Sequence, residues 1–79
     1  MEYRLDVSEQ EPPEPLENIL AHLENLAEGD WLRVQHSREP YPLYSLLREM
    51  NFAWETRWLN GECIIQIWHV GYPPSERLG

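Results

Sequence analysis

Apolar and polar residues alternate along residues 3–7, Tyr-Arg-Leu-Asp-Val, which predicts a short strand with Tyr3, Leu5 and Val7 on one face. The stretch from Ser8 to Pro13 is polar and closes on two prolines, so it reads as a loop. Leu16, Ile19, Leu20, Leu23, Leu26 and Ala27 then recur at helical spacing and predict a helix over 13–28 with one apolar stripe. Pro13 and Pro15 fit its first turn, where backbone N–H groups lack helical partners. Glu14 and Glu17 suit the positive end of the helix dipole, and Gly29 offers a left-handed stop. Residues 31–36 alternate again, with Leu32, Val34 and His36 on one face and Trp31, Arg33 and Gln35 on the other. A second proline-bearing loop, Ser37 to Pro42, leads into a stripe of Leu43, Leu46, Leu47 and Met50, a second helix ending near Asn51. Phe52, Trp54, Thr56 and Trp58 share one side of a strand over 52–59. Asn60-Gly61 predicts a tight hairpin turn, because both central residues of a type I′ turn need positive φ. Residues 62–69 return as its antiparallel partner, and Val70 to Gly79, with Pro73-Pro74, reads as a loose tail.

The order is β-α-β-α-β-β. Two strand–helix units imply parallel first strands, and the hairpin adds an antiparallel pair. Two helices can cover only one face of such a sheet. The expected fold is an α/β two-layer sandwich, a mixed four-stranded sheet with both helices on one side. Residues 1–70 form the single expected domain and 71–79 the C-terminal tail.

Composition narrows the function classes. The chain has 79 residues, 42% of them hydrophobic, enough for a globular fold and too many for a disordered tail. Fourteen acidic and six basic residues give a net charge of -8, and there is no lysine. Phosphate neutralisation needs clustered Lys and Arg, so no nucleic-acid partner is expected. Cys63 is the sole cysteine, which excludes an intrachain disulfide and a multi-cysteine zinc site. The charged N-terminus has no signal-peptide core, and no apolar run nears the roughly 20 residues that cross a bilayer. A cytoplasmic protein without a membrane partner is the expectation.

Leu5-Asp6-Val7, Pro12-Pro13-Glu14-Pro15-Leu16 and Leu26 with Gly29-Asp30 resemble the TusA/SirA sulfur-carrier superfamily. That resemblance implies the same β-α-β-α-β-β order. The superfamily's hallmark is Cys-Pro-x-Pro at the start of the first helix. Pro13-Glu14-Pro15 matches it, but Pro12 stands at the cysteine position and Glu9 where a glycine is usual. More specifically, the chain looks like a cysteine-less bacterial branch of unknown function. The segments that carry this likeness are Pro12–Leu16, Arg38–Tyr44 and Phe52-Ala53-Trp54-Glu55, and the likeness spans about residues 5–69. Persulfide transfer needs a thiolate, and Pro12 has no thiol, so carrier activity does not transfer to this position.

Three surfaces are candidate sites. Both helices should start beyond the carboxyl ends of the first two strands, the edge where open α/β sheets bind ligands. Pro12, Pro13, Glu14, Pro15, His36, Arg38 and Pro40 make that candidate edge for a ligand or partner, with Asp6, Glu11 and Glu39 nearby. The same prolines and carboxylates would also serve helix starts alone. The open sheet face is the second candidate, through Trp31, Arg33, Ile64 and Trp68, since Trp and Arg anchor interfaces. A homodimer, or the tail with Tyr72 as a lid, could cover it instead. Cys63 is the third, a candidate thiol brought near His36 if the last strand lies beside the second as the resemblance implies. The plain alternative is a small core residue. His36 titrates near neutral pH, but His22, His36 and His69 lie too far apart in sequence for a metal motif.

These features predict a small non-catalytic interaction or regulatory module with no catalytic residues, no metal and no cofactor. Its expected partner is another protein or a second copy of itself. Two alternatives stand beside it. One is a degenerate sulfur or redox carrier using Cys63, and the other is small-ligand binding at the proline edge.

Overall fold

A computed structural model describes residues 1–78 and gives the order β1 (Glu2–Asp6), α1 (Glu14–Glu24), β2 (Trp31–His36), α2 (Tyr41–Glu49), β3 (Phe52–Leu59) and β4 (Glu62–His69). The four strands form one sheet in the order β1-β2-β4-β3, with β1 parallel to β2 and β4 antiparallel to both of its neighbours. This is the α/β sandwich that the alternation and helical spacing predict.

The core lies between the helices and one sheet face. Ile19 and Leu23 of α1 and Leu43 and Leu47 of α2 are buried against Leu32, Val34, Ile65 and Ile67. Each such side chain contributes about 1.5–3 kcal/mol by leaving water. Val7 is also fully buried, although β1 ends at Asp6, because its N–H still donates to the Gln35 carbonyl at 2.9 Å. The hairpin turn has the expected backbone, with Asn60 at φ 52° and Gly61 at φ 78°.

α1 stops at Glu24, four residues short of the predicted end. Asn25 and Leu26 donate to the carbonyls of His22 and Leu23, so the last turn tightens to i→i+3 bonding. The Leu26 carbonyl then turns away to accept from His69 Nε2 at 2.7 Å. Leu26 stays buried, and Gly29 supplies its positive φ in the turn before β2 instead of at the helix end. On α2, Met50 falls outside the helix and is 39% exposed, so the stripe there rests on Leu43 and Leu47.

The tail is not loose. It crosses the sheet face opposite the helices. Gln66 Nε2 donates to the Glu76 carbonyl at 2.6 Å, the Arg77 guanidinium lies 4.7 Å from the Trp68 ring, and Pro74 and Leu78 are buried. Arg77 Nε also sits 3.6 Å from Glu55 Oε1. Arg77→Ala should destabilise the domain by about 0.5–1 kcal/mol in urea unfolding, the scale of an exposed cation–π contact. It should also shift tryptophan emission to the red; emission identical to wild type would mean the tail does not rest on Trp68.

Candidate functional site

Because β1 and β2 are parallel, each delivers the chain to its helix at the same end of the sheet. Two proline-rich helix starts therefore meet. Pro12, Pro13, Pro15 and Leu16 from one, and His36, Arg38, Glu39, Pro40, Pro42 and Leu43 from the other, enclose a pocket of about 330 Å³. The pocket takes in every residue of the predicted edge except Glu14, which is exposed at the first position of α1. Glu39, expected nearby, is part of the wall, and Leu16, Pro42 and Leu43 are additions. Pro42 was legible as the second proline of the same loop; Leu16 and Leu43 reach the pocket from the apolar stripes.

The helix starts leave few free donors here. Glu14, Glu17, Tyr41 and Leu43 already donate their N–H groups to the carbonyls of Glu11, Pro13, Glu39 and Pro40 at 2.9–3.2 Å. Pro15 and Pro42 have no N–H to offer. The walls are thus apolar, and the polar character comes from three side chains.

His36 is the inner one, 4% exposed at the end of β2. The Arg38 N–H donates to its Nδ1 at 3.2 Å. That bond needs Nδ1 free of a proton, so the neutral ring carries its proton on Nε2. Burial first, and then the Arg38 charge, hold the imidazole below its ordinary value, which keeps it neutral near pH 7. Among the described residues no group pairs with Nε2, so its N–H remains as a donor for an occupant.

Glu39 and Arg38 are the outer two. Glu39 Oε2 accepts from the Tyr44 hydroxyl at 2.9 Å, and that hydroxyl lies 2.7 Å from Thr56 Oγ1. Burial pushes the Tyr44 phenol above its ordinary range, so it stays a donor to Glu39. The Tyr44 ring stacks on Trp54 at 5.2 Å, which ties the Glu39 wall of the pocket to α2 and β3. Arg38 is exposed at the rim.

Cys63 is the cross-strand partner of His36, as the sequence arrangement implied, but it is fully buried. Burial, and then the Glu39 carboxylate, push its thiol up to about 11. A reactive thiol needs the opposite, an exposed site that favours the thiolate. Cys63 therefore has the setting of a core residue.

The open face carries the tail, the cover expected as an alternative to an interface, although Glu76 and Arg77 make the contacts and Tyr72 is 45% exposed. The register places Trp31, Arg33, Ile64 and Trp68 on the side away from the helices. Trp31, Ile64 and Trp68 are only 5–7% exposed, however; Arg77 of the tail lies over Trp68, and Glu2 Oε1 accepts from Trp31 Nε1 at 3.1 Å. Only Arg33 keeps partial exposure, in a small hollow with Arg4, Asp6 and Gln35. Asp6 accepts from the N–H and hydroxyl of Ser8 and stands outside the proline pocket. Among the described residues, no three His, Cys, Asp or Glu side chains gather into a cluster that could hold a metal. Among the described residues no helix is long and apolar enough to cross a membrane.

Fold and site define a small two-layer α/β domain with one proline-walled pocket at its helix starts and its cysteine sealed in the core. A family model described as "Uncharacterized conserved protein (DUF2249)" matches residues 4–69, and the chain belongs to that family. No curated protein and no solved structure matches it.

Two outcomes follow from the site's chemistry. Iodoacetamide should modify Cys63 far more slowly in the native chain than in urea, and equal rates would contradict the buried thiol. His36 has its folded value below the unfolded 6.5, so the unfolded chain binds the extra proton and stability falls as pH drops below 6.5. Between about pH 8 and pH 5, urea midpoints should decline in wild type and decline less in His36→Phe. Parallel declines would exclude His36 as the source.

Proposed function

We propose that the chain is a small non-catalytic interaction module of the bacterial cytoplasm, a relative of the TusA/SirA superfamily without its hallmark cysteine, whose working surface is the proline-walled pocket. The strand and helix order, and the Pro-x-Pro start of α1 at the superfamily's site, support that kinship. The observation that carries the functional reading is the pocket itself. It joins six of the seven predicted edge residues around one inward donor, His36 Nε2, and one rim cation, Arg38.

The walls suit an apolar side chain from a partner protein, and the histidine donor suits a carbonyl on the same segment. Prolines give such a wall at low entropic cost, since their backbone is already restricted. The pocket's size, near the lower end of small-molecule sites, supports a second reading in which a small apolar ligand with one acceptor occupies it. The carrier alternative draws no support from the setting of Cys63.

Native mass spectrometry of the protein, gently isolated from its own host, tests the reading. Wild type should carry a partner chain of fixed stoichiometry, and Arg38→Glu should lose it with an unchanged melting temperature. A bound small molecule in place of a chain would select the second reading. Retention of every bound mass by Arg38→Glu would remove the pocket rim from function.

A further inference from the structure

β3 lies at an edge of the sheet, with β4 as its only strand neighbour. It is eight residues long, contains no proline, and keeps an unbroken register with β4 from Phe52 to Leu59. The opposite edge, β1, has five residues. Long edge strands are normally blunted by prolines, bulges or a covering segment, because their free N–H and C=O groups pair readily with another strand. β3 shows none of these. Trp58 is 51% exposed, Leu59 is 43% exposed, and Arg57 is exposed beside them.

Which backbone groups are free follows from the hairpin. A two-residue turn makes Leu59 and Glu62 a hydrogen-bonded pair, and such pairs alternate along an antiparallel ladder. Arg57, Glu55 and Ala53 therefore spend their backbone groups on β4. Trp54, Thr56 and Trp58 turn theirs outward. No loop or tail bond occupies those three among the described residues.

The side chains of β3 match a reversed copy of the same strand. With Thr56 opposite the second copy's Thr56, Glu55 falls opposite Arg57, and Trp54 falls opposite Trp58, each twice by symmetry. Opposite charges, aromatic pairs and Thr–Thr are the pairings that stabilise neighbouring strands. The outward backbone groups agree with this centre, because Thr56 and Trp54 become hydrogen-bonded pairs. Glu55 and Arg57 then fall in the closer, non-hydrogen-bonded sites. Within one chain Arg57 Nη2 already lies 3.0 Å from Glu55 Oε2, so these two residues give the joined edge four charges of alternating sign, with Arg77 of each tail 3.6 Å from Glu55. On the helix side, Trp58 would extend the Tyr44–Trp54 stack of the other copy. Each chain carries a net charge of -8, which opposes self-association over most of the surface. The β3 edge, where Arg57 and Arg77 both flank Glu55, is a self-matching exception without that excess of negative charge.

We propose that β3 is a dimerisation edge: two copies pair their β3 strands antiparallel about a two-fold axis at Thr56, joining two four-stranded sheets into one continuous sheet. The interface is isologous, as two-fold dimers require, and its centre, Thr56, is joined to the pocket's Glu39 through the Tyr44 hydroxyl.

Sedimentation equilibrium over a range of concentrations tests this, with charge reversals as the probe. Wild type should approach twice its 9.5 kDa mass at high concentration. Glu55→Arg and Arg57→Glu each set like charges opposite one another at two places, and each should weaken association about tenfold or more. Mixed in equal amounts, the two variants regain both opposite-charge pairs and should associate as wild type does. Far-ultraviolet circular dichroism checks that each variant is folded. Amide exchange in wild type gives a readout without substitution: Trp54, Thr56 and Trp58 should gain protection as concentration rises. A wild type that stays monomeric overturns the proposal, as does a dimer indifferent to both reversals, or one whose Thr56 amide exchanges as fast as in the monomer. Protection of Thr56 that appears only when a different protein is added also overturns it and assigns the edge to that partner.

Discussion

The structure depends on a central strand that must be dry on both sides. From Cys63 to Trp68 every residue of β4 is buried, although successive side chains point to opposite faces. Cys63, Ile65 and Ile67 meet the helices, and Ile64, Gln66 and Trp68 face the other way. Two helices cover one face of a four-stranded sheet, so something else must close the second. Here the chain's own tail does so, through Gln66, Trp68 and Glu55. The seal is built largely from polar and cation–π contacts. Gln66 Oε1 and Glu55 Oε1 remain buried beneath it without a hydrogen bond, which makes this the less tightly bonded of the two layers.

That closure moves attention from the sheet face to the sheet end. The same parallel pairing of β1 and β2 that permits the fold brings two proline-bearing helix starts together. The prolines remove N–H donors that would otherwise make these termini anion sites, leaving a pocket with apolar walls. His36 and Cys63 stand opposite one another on β2 and β4, yet their chemistry diverges. The imidazole reaches the pocket, whereas the thiol faces the core and is held protonated. Two neighbours on one face thus divide into a site residue and a packing residue.

Local pattern carried most of the architecture. Period-two alternation located the first three strands, and Asn60-Gly61 located the hairpin and with it the returning fourth, because these signals are set by the pleat and by the φ > 0 requirement of the turn. Most of the pocket was legible for a topological reason, since parallel strands place their following loops at one end. What escaped depends on contacts far apart in sequence. The early end of α1 requires His69 to take the Leu26 carbonyl, 43 residues away. The tail's docking requires Gln66 and Trp68, and no periodicity in Gly71–Leu78 announces it. For the same reason Trp31, Ile64 and Trp68 read as an interface when taken alone. The register puts them on that second face as expected, and the tail, one of the covers the sequence offers, closes over it through Glu76 and Arg77 and not through Tyr72.

The central claim is that the chain seals its own sheet face and presents the proline pocket. Solvent paramagnetic relaxation by nuclear magnetic resonance measures both at once. With a soluble paramagnetic probe, the indole N–H protons of Trp31 and Trp68 and the methyls of Ile64 should relax slowly, while Pro13, Pro40 and the Arg38 side chain at the pocket rim relax strongly. Strong relaxation of Trp31 and Trp68 with shielded Pro13 and Arg38 would contradict the account and make the sheet face the surface on which this domain works.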